Sequence, residues 1–190
     1  MPDFILKEKS PLADYNRDFS DLSIREITGK ALVSVATPLG GDKKLFAAMD
    51  KSYGAKLPRV GASTHSKDGK VRFLGLQSEQ MFVLFEYTGQ APVKHVAKKL
   101  GNAAYYSDQS DSWVMVELAG SQCRAALARI CPLDLHEESF VEGALGRTAM
   151  EHLGVIIYRS GPDEFIILSP RSSAHSLLHA IETSALNIAI

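Results

Sequence analysis

The sequence predicts an α+β fold built from two repeated split βαβ units, each reading strand, helix, strand, strand, helix, strand (βαββαβ, ferredoxin-like). Three observations carry the prediction. Apolar runs of matching type recur about 82 residues apart and in the same order, as an internal duplication requires. In each half two adjacent apolar runs are parted by a tetrad of turn residues, the pattern of a β-hairpin. Between the runs lie segments whose apolar residues fall at helical spacing.

Residues 1–30 read as an N-terminal arm and first strand: Pro2, Pro11 and scattered charges precede LSIREI. The arm's apolar residues, Phe4, Ile5, Leu6 and Leu12, serve no internal periodicity and are expected to form an exposed patch. Residues 31–108 make the first unit. ALVSVAT (31–37) is its first strand, and a Gly-Gly-Asp turn places Asp42 ahead of the helix around KKLFAAMDKS. LPRVGASTHSKDGK (57–70), rich in Gly, Ser and Lys, is expected to be a mobile loop. VRFLGLQ and MFVLFEY form a hairpin around Gln77-Ser78-Glu79-Gln80. PVKHVAKKL is a helix with Pro92 in its first turn, Gly101 after its end and the stripe Val93, Val96, Ala97, Leu100; AAYYSD is the closing strand.

Residues 109–190 make the second unit. SWVMVEL (112–118) corresponds to ALVSVAT, and Gly120 precedes the helical SQCRAALARI. GVIIY and EFIILS flank the turn Ser160-Gly161-Pro162-Asp163. Ser172 stands ahead of a last helix with the stripe Ala174, Leu177, Leu178, Ile181, and LNIAI (186–190) is expected to be the closing strand.

Composition narrows the function. With 190 residues, 45% of them hydrophobic, the chain is long enough to bury a core. Its 21 basic and 22 acidic residues are interspersed and leave a formal net charge of −1, so no basic field exists for nucleic acid or an anionic membrane. No apolar stretch approaches the roughly 20 residues of a membrane span, and MPDFILKEKS lacks the layout of a signal peptide. The chain is therefore expected to be cytoplasmic, and its two cysteines agree with a reducing compartment.

Chemistry-bearing residues are few. Cys123 shares a helical stripe with Ala126, Leu127 and Ile130 and reads as a small buried hydrophobe; Cys131 has no neighbouring base. His175 and His179 stand i, i+4, a spacing at which two imidazoles can share a metal, but no third ligand accompanies them. His65, His95 and His136 read as solvated or locally bonded. Gly40-Gly41 is explained by a tight turn, since neither GxxxxGK[ST] nor GxGxxG is present. Glu137 and Glu138 are adjacent and cannot flank one reacting bond. No catalytic, cofactor-binding or metal residue is assigned.

The second half carries a resemblance. SDQSDSWVMVELAGSQCRAALARICPLDL, FVEGALGRT and GVIIYRSGPDEFIILSPRSSAHSLLHAI, with the pieces CPLDL, F-x-x-G-x-x-x-x-T and SPRS-x-A-x-S-L-x-H in order, resemble the gamma-subunit family of heterotetrameric sarcosine oxidases. The match covers about 95–182, and the first half more loosely through pieces such as SPLA (10–13). The same stretch is more distantly similar to the folate-binding aminomethyltransferase T-proteins. Those proteins hold a pair of aspartates ahead of the hairpin strand ending in Tyr-Arg, whereas here Gly154-Val155-Ile156-Ile157 runs straight into Tyr158-Arg159. An iminium or methylene carrier needs a fixed carboxylate, and these positions offer hydrocarbon.

The resemblance thus implies the folate-binding aminomethyltransferase fold without its site. It implies a non-catalytic structural subunit of a flavoenzyme complex that oxidatively demethylates sarcosine. Its partners would be an alpha subunit with NAD, FAD and a folate domain, a beta subunit with the flavin and sarcosine site, and a small zinc-binding delta subunit. FAD, FMN, NAD, zinc and tetrahydrofolate would all sit on those other chains. Arg147, Arg159 and Arg171 mark strand ends around the second hairpin. Two readings stay open for them, solvated surface groups or bidentate partners of carboxylates across a subunit interface. A free-standing folate-binding aminomethyltransferase-like protein and a small-ligand sensing module are the alternatives to the subunit role.

Overall fold

A computed structural model describes residues 9–188. In chain order the elements are β1 (Asn16–Phe19), β2 (Leu22–Glu26), β3 (Lys30–Ala36), α1 (Asp42–Tyr53), β4 (Ser63–His65), β5 (Val71–Gln77), β6 (Gln80–Glu86), α2 (Pro92–Leu100), β7 (Tyr105–Asp108), β8 (Trp113–Ala119), α3 (Cys123–Ala128), β9 (Leu145–Met150), β10 (Leu153–Gly161), β11 (Glu164–Pro170) and α4 (Ala174–Leu186). They make two antiparallel sheets, ordered β4-β5-β6-β3-β7 and β1-β2-β8-β11-β10-β9.

The central strands explain the continuous apolar runs, because each is buried on both faces. Along β3, Ala31, Val33 and Val35 turn outward to meet Leu45 and Met49 of α1 and Val96 and Leu100 of α2. Leu32 turns inward, and with Leu74, Phe82 and Leu84 it meets Met115, Ile156, Tyr158, Ile166 and Leu168 of the second sheet. On that sheet's outer face Val114, Val116, Val155, Ile157, Phe165 and Ile167 meet Leu127 of α3 and Leu177 and Ile181 of α4. The molecule is a four-layer stack of helices, sheet, sheet and helices, with one core between the sheets and one under each helix pair. Each fully buried Leu, Ile, Val or Phe contributes roughly 1.5–3 kcal/mol relative to exposure.

The expected α+β class with two split βαβ halves is observed. The second half departs in one respect. LNIAI supplies no strand among the described residues: α4 runs on to Leu186, and Asn187 and Ile188 turn. The stripe explains why, since Leu177, Ile181, Ala185 and Ile188 continue one helical face onto the core with no breaker before Leu186. The vacant place beside β8 is filled by β2 from the N-terminal segment. Ala119 pairs with Ser23 of β2, just as Ala36 pairs with Tyr105 of β7 in the first half. The second sheet is therefore completed by residues from outside 109–190.

The segment before β1 lies on its own chain. Leu12 is buried in the core beneath α3 and α4, which corrects the expectation that it joins an exposed patch; Phe4, Ile5 and Leu6 lie outside the described residues. The Glu26 carboxylate accepts from the Ser10 hydroxyl, from the Leu12 N–H at 3.1 Å and from the Asp14 N–H at 2.9 Å. Charge-assisted bonds of this kind fix the loop through its left-handed residues Ala13 and Asp14. Further along, the Tyr15 hydroxyl donates to Glu182 of α4 at 2.6 Å, and Arg17 pairs with the same carboxylate at 3.0 Å.

Within 57–70, read as a loop, Ser63–His65 form the edge strand β4. A bridge between Ala62 and Ala144 joins the edges of the two sheets, with Ser63 N–H donating to Gly143 O at 2.8 Å and Leu145 N–H to Gly61 O at 3.0 Å.

Two outcomes follow for stability. At Gly120 φ is +126°, and a β-carbon would overlap the carbonyl oxygen of Asp21 in the β1–β2 turn. Gly120→Ala is expected to destabilise the chain by about 2 kcal/mol or more in denaturant titration, whereas Gly69→Ala, with open space around it, costs less. The phenol of Tyr53 is raised by burial from 10.0 to about 12, and that of Tyr15 likewise by burial and then by the Glu182 carboxylate. A raised acid favours the folded state below its unfolded value and loses that contribution as pH climbs through the folded one. Phenolate absorbance and stability should therefore change together between about pH 10 and 12, and a normal titration of Tyr53 would contradict its burial.

Candidate functional site

The second hairpin is where the sequence asks for chemistry. Val155, Ile156 and Ile157 lie in β10, the first strand of this hairpin. Val155 and Ile157 point into the core under α3 and α4, and Ile156 into the core between the sheets. No charged or polar side chain stands at these positions, and no opening reaches them.

Beyond Tyr158 the strand bulges between Arg159 and Gly161. Arg159 is only 6% exposed, which corrects its reading as a surface or interface group. Its Nη1 donates to Phe140 O at 2.8 Å and to Glu137 O at 3.4 Å, its Nη2 to Pro162 O at 2.8 Å, and its Nε to Gly161 O at 3.1 Å. The guanidinium thus ties the 137–140 segment to the hairpin turn through carbonyl dipoles, and no ion pair involves it among the described residues. Sequence reasoning missed its companion. Arg124 of α3 donates from Nε to Leu135 O at 3.2 Å and from Nη2 to Pro162 O at 2.6 Å, and its Nη1 pairs with Asp163. Only the helical stripe that leaves Arg124 beside Cys123 could have hinted at it.

Arg171 and Arg147 are placed differently from Arg159. Arg171, just after β11, donates to the Lys9 carbonyl and lies 3.7 Å from Asp111, so it ties down the start of the described chain. Arg147 is exposed on the edge strand β9 and has neither hydrogen bond nor ion pair among the described residues. The three arginines do not converge on one site.

Two adjoining clefts of about 310 and 500 Å³ open at the other end of the sheets, sharing Lys9, Lys30, Ser110, Asp111 and Arg171. Their cations and carboxylates alternate. The Cys123 thiol is raised to about 12, chiefly by burial and then by the Asp163 charge, so it holds its proton at neutral pH. Burial also raises Cys131. Half-buried Glu117 lies in β8 opposite Arg25, and its carboxyl is raised by burial and then by the Glu164 carboxylate. His175 and His179 are exposed on α4. Among the described residues no group of three or more His, Cys, Asp or Glu is placed to hold a metal ion, and no helix is long and apolar enough to cross a membrane.

No family model matches the chain. The curated sarcosine oxidase subunit gamma of Corynebacterium sp. (strain P-1) is 28% identical over 154 residues, which are 80% of this chain and 73% of that protein. A chain of the heterotetrameric sarcosine oxidase from Corynebacterium sp. U-96, solved in complex with pyrrole 2-carboxylate, superposes with a TM-score of 0.81 at 20% identity, covering 96% of this chain and 97% of its own. This chain is similar to the sarcosine oxidase gamma subunit.

The fold extends to the glycine cleavage system aminomethyltransferase T from Bartonella henselae, with a TM-score of 0.60 at 18% identity. That match covers 82% of this chain and 44% of the aminomethyltransferase. The gamma-like chain keeps the framework common to both. In its second hairpin the strand residues Val155, Ile156 and Ile157 are hydrocarbon packed on both faces, with no carboxylate among them.

Arg159→Ala should destabilise the chain by about 2–4 kcal/mol in chemical denaturation, since it leaves buried carbonyls without donors. Arg159→Lys should recover only part of that, a single ammonium being unable to span the same carbonyls. Arg147→Ala should fall within about 0.5 kcal/mol of the parent. Equal melting of the Arg159→Ala and Arg147→Ala variants would refute the stapling role.

Proposed function

We propose that the chain is the non-catalytic gamma-type structural subunit of a heterotetrameric flavoenzyme. The complex oxidatively demethylates sarcosine to glycine, formaldehyde or methylene-tetrahydrofolate, and hydrogen peroxide. The observation that carries this reading is a match along nearly the whole of a sarcosine oxidase chain, combined with a hairpin whose would-be acidic positions are Val155, Ile156 and Ile157. A fold has no activity of its own; the activity lies in grafted side chains, and here those are hydrocarbon.

In this reading alpha, beta and delta subunits are the partners, and they carry FAD, FMN, NAD, zinc and the tetrahydrofolate site. This chain holds none of these and braces the larger subunits in the cytoplasm. Of the candidate arginines, only Arg147 is free enough to reach a carboxylate on a partner.

Purification of the tagged chain from its native cells tests the reading. Two flavin-bearing chains and sarcosine-dependent peroxide formation should accompany it. The isolated chain should be colourless and give no calorimetric signal with flavin or tetrahydrofolate. A lone chain that binds folate at micromolar affinity would favour the free-standing transferase-like alternative instead. Arg147→Ala should leave turnover per assembled complex unchanged, and a strong fall in that rate would overturn the bracing role.

A further inference from the structure

The two halves of the duplication finish differently at equivalent places. Ala36 ends β3 between Gln80 of β6 and Tyr105 of β7, as Ala119 ends β8 between Glu164 of β11 and Ser23 of β2. At the second of these ends the chain closes on itself. Arg124 and Arg159 bind the carbonyls of Leu135, Phe140 and Pro162, and Gln122 N–H reaches Asp21 O at 3.3 Å.

At the first end no pair of arginines gathers loop carbonyls in this way. Four of the six large hydrophobic side chains exposed among the described residues stand on the segments of that end: Leu39 at 101%, Tyr105 at 70%, Val60 at 60% and Phe46 at 49%. Their grouping follows from the fold. Leu39 is three residues beyond Ala36, whose cross-strand partner is Tyr105. Phe46 lies in the second turn of α1, beside the inward Leu45. Val60 is held at the C-terminal end of β5, where Gly61 N–H donates to Gly75 O at 2.9 Å. A recess of about 40 Å³ between Thr37, Leu57, Pro58 and Gln77 lies at the same end. Since the other half shows that this end can be closed by its own polar chain, its open and apolar state is a property of the sequence rather than of the fold.

The charges beside the patch indicate what covers it. Lys43, Lys44 and Arg59 are exposed and take part in no ion pair among the described residues. Of the neighbouring carboxylates, Asp42 stands in the first turn of α1, where the helix terminus engages its charge. A second copy docked through the same patch would crowd these cations together. An anionic membrane would attract them but press its uniform negative charge on Asp42 and Glu79 as well, whereas a protein partner can set its carboxylates against the cations alone. A different protein chain, apolar at its centre and bearing carboxylates at its rim, meets both demands. We propose that this end, formed by Leu39, Phe46, Val60 and Tyr105, is the docking surface for a larger subunit of the assembly. The proposal rests on the subunit reading above and adds the surface to it.

The test uses the tagged full chain expressed with the flavin-bearing chains, which are identified by mass spectrometry. Leu39→Asp and Phe46→Glu alter exposed side chains, so both variants should keep the parent's circular dichroism and melting. Each should nonetheless lose about tenfold or more in capture of the flavin-bearing chains. Val141→Asp and Leu186→Asp, exposed elsewhere, should retain capture. Patch variants that hold their partners as the parent does would overturn the surface while leaving the subunit reading intact. A parent chain that captures no flavin-bearing chain would remove both. Patch variants that retain capture but convert a self-associated chain to monomer, or lose binding to phosphatidylserine-containing vesicles, would assign the patch to a second copy or a membrane and overturn the proposal.

Discussion

The packing of the two sheets face to face is the constraint from which the rest of the architecture follows. Leu32, Leu74, Phe82 and Leu84 on one side and Met115, Ile156, Tyr158, Ile166 and Leu168 on the other form a core with no helix in it. Once those inner faces are buried, the outer faces of the same strands are apolar too and must be covered, which places α1 and α2 over one sheet and α3 and α4 over the other. Two polar groups near the sheet interface have partners. Gln80 donates to the Ser34 hydroxyl at 2.9 Å, and the Arg72 guanidinium lies over the Tyr158 ring. The same double burial leaves Val155, Ile156 and Ile157 facing hydrocarbon on either side of the strand.

Arginine takes on a structural task at the hairpin turn. Arg159 and Arg124 together gather carbonyls from Leu135 to Pro162, a stretch with little regular structure before β9, and convert it into a lid over one end of the second sheet. Planar guanidinium groups suit this because several donors diverge from one rigid centre. The first half has no such pair, and its corresponding end remains apolar and open. A duplicated fold has thereby acquired two unlike ends.

Much of this was legible from residue patterns. The central strands β3, β5, β6, β8, β10 and β11 are mostly apolar, and α1, α2 and α4 carry clear stripes, so their types follow from periodicity. The short edge strands β1, β4 and β9, with sequences NRDF, STH and LGRTAM, carry no such signal, because one side of each lacks a neighbouring strand in its sheet and their pairing is imposed by the adjoining strand. LNIAI alternates as a strand would, yet α4 runs on to Leu186, and Asn187 and Ile188 turn with Ile188 packed against the core. The empty chemistry of Val155 to Ile157 could be read directly. The burial of Arg159 could not, since its partners are main-chain carbonyls, which leave no trace in side-chain identity.

The placement of β2 governs the order in which the molecule can be assembled. Residues 30–108 contain every strand of the first sheet and can pair among themselves as soon as they leave the ribosome. The β1–β2 pair cannot take its place in the second sheet so early, for its neighbour β8 begins at Trp113, and Glu182, which receives Tyr15 and Arg17, comes later still. β1 and β2 can pair with each other early, but they join the second sheet only once Trp113–Ala119 has been made. Contacts of such long sequence separation slow folding. In the finished molecule they also link Tyr15 and Arg17 to Glu182 of α4, so loosening the β1–β2 segment would weaken the hold on both an edge strand and that helix.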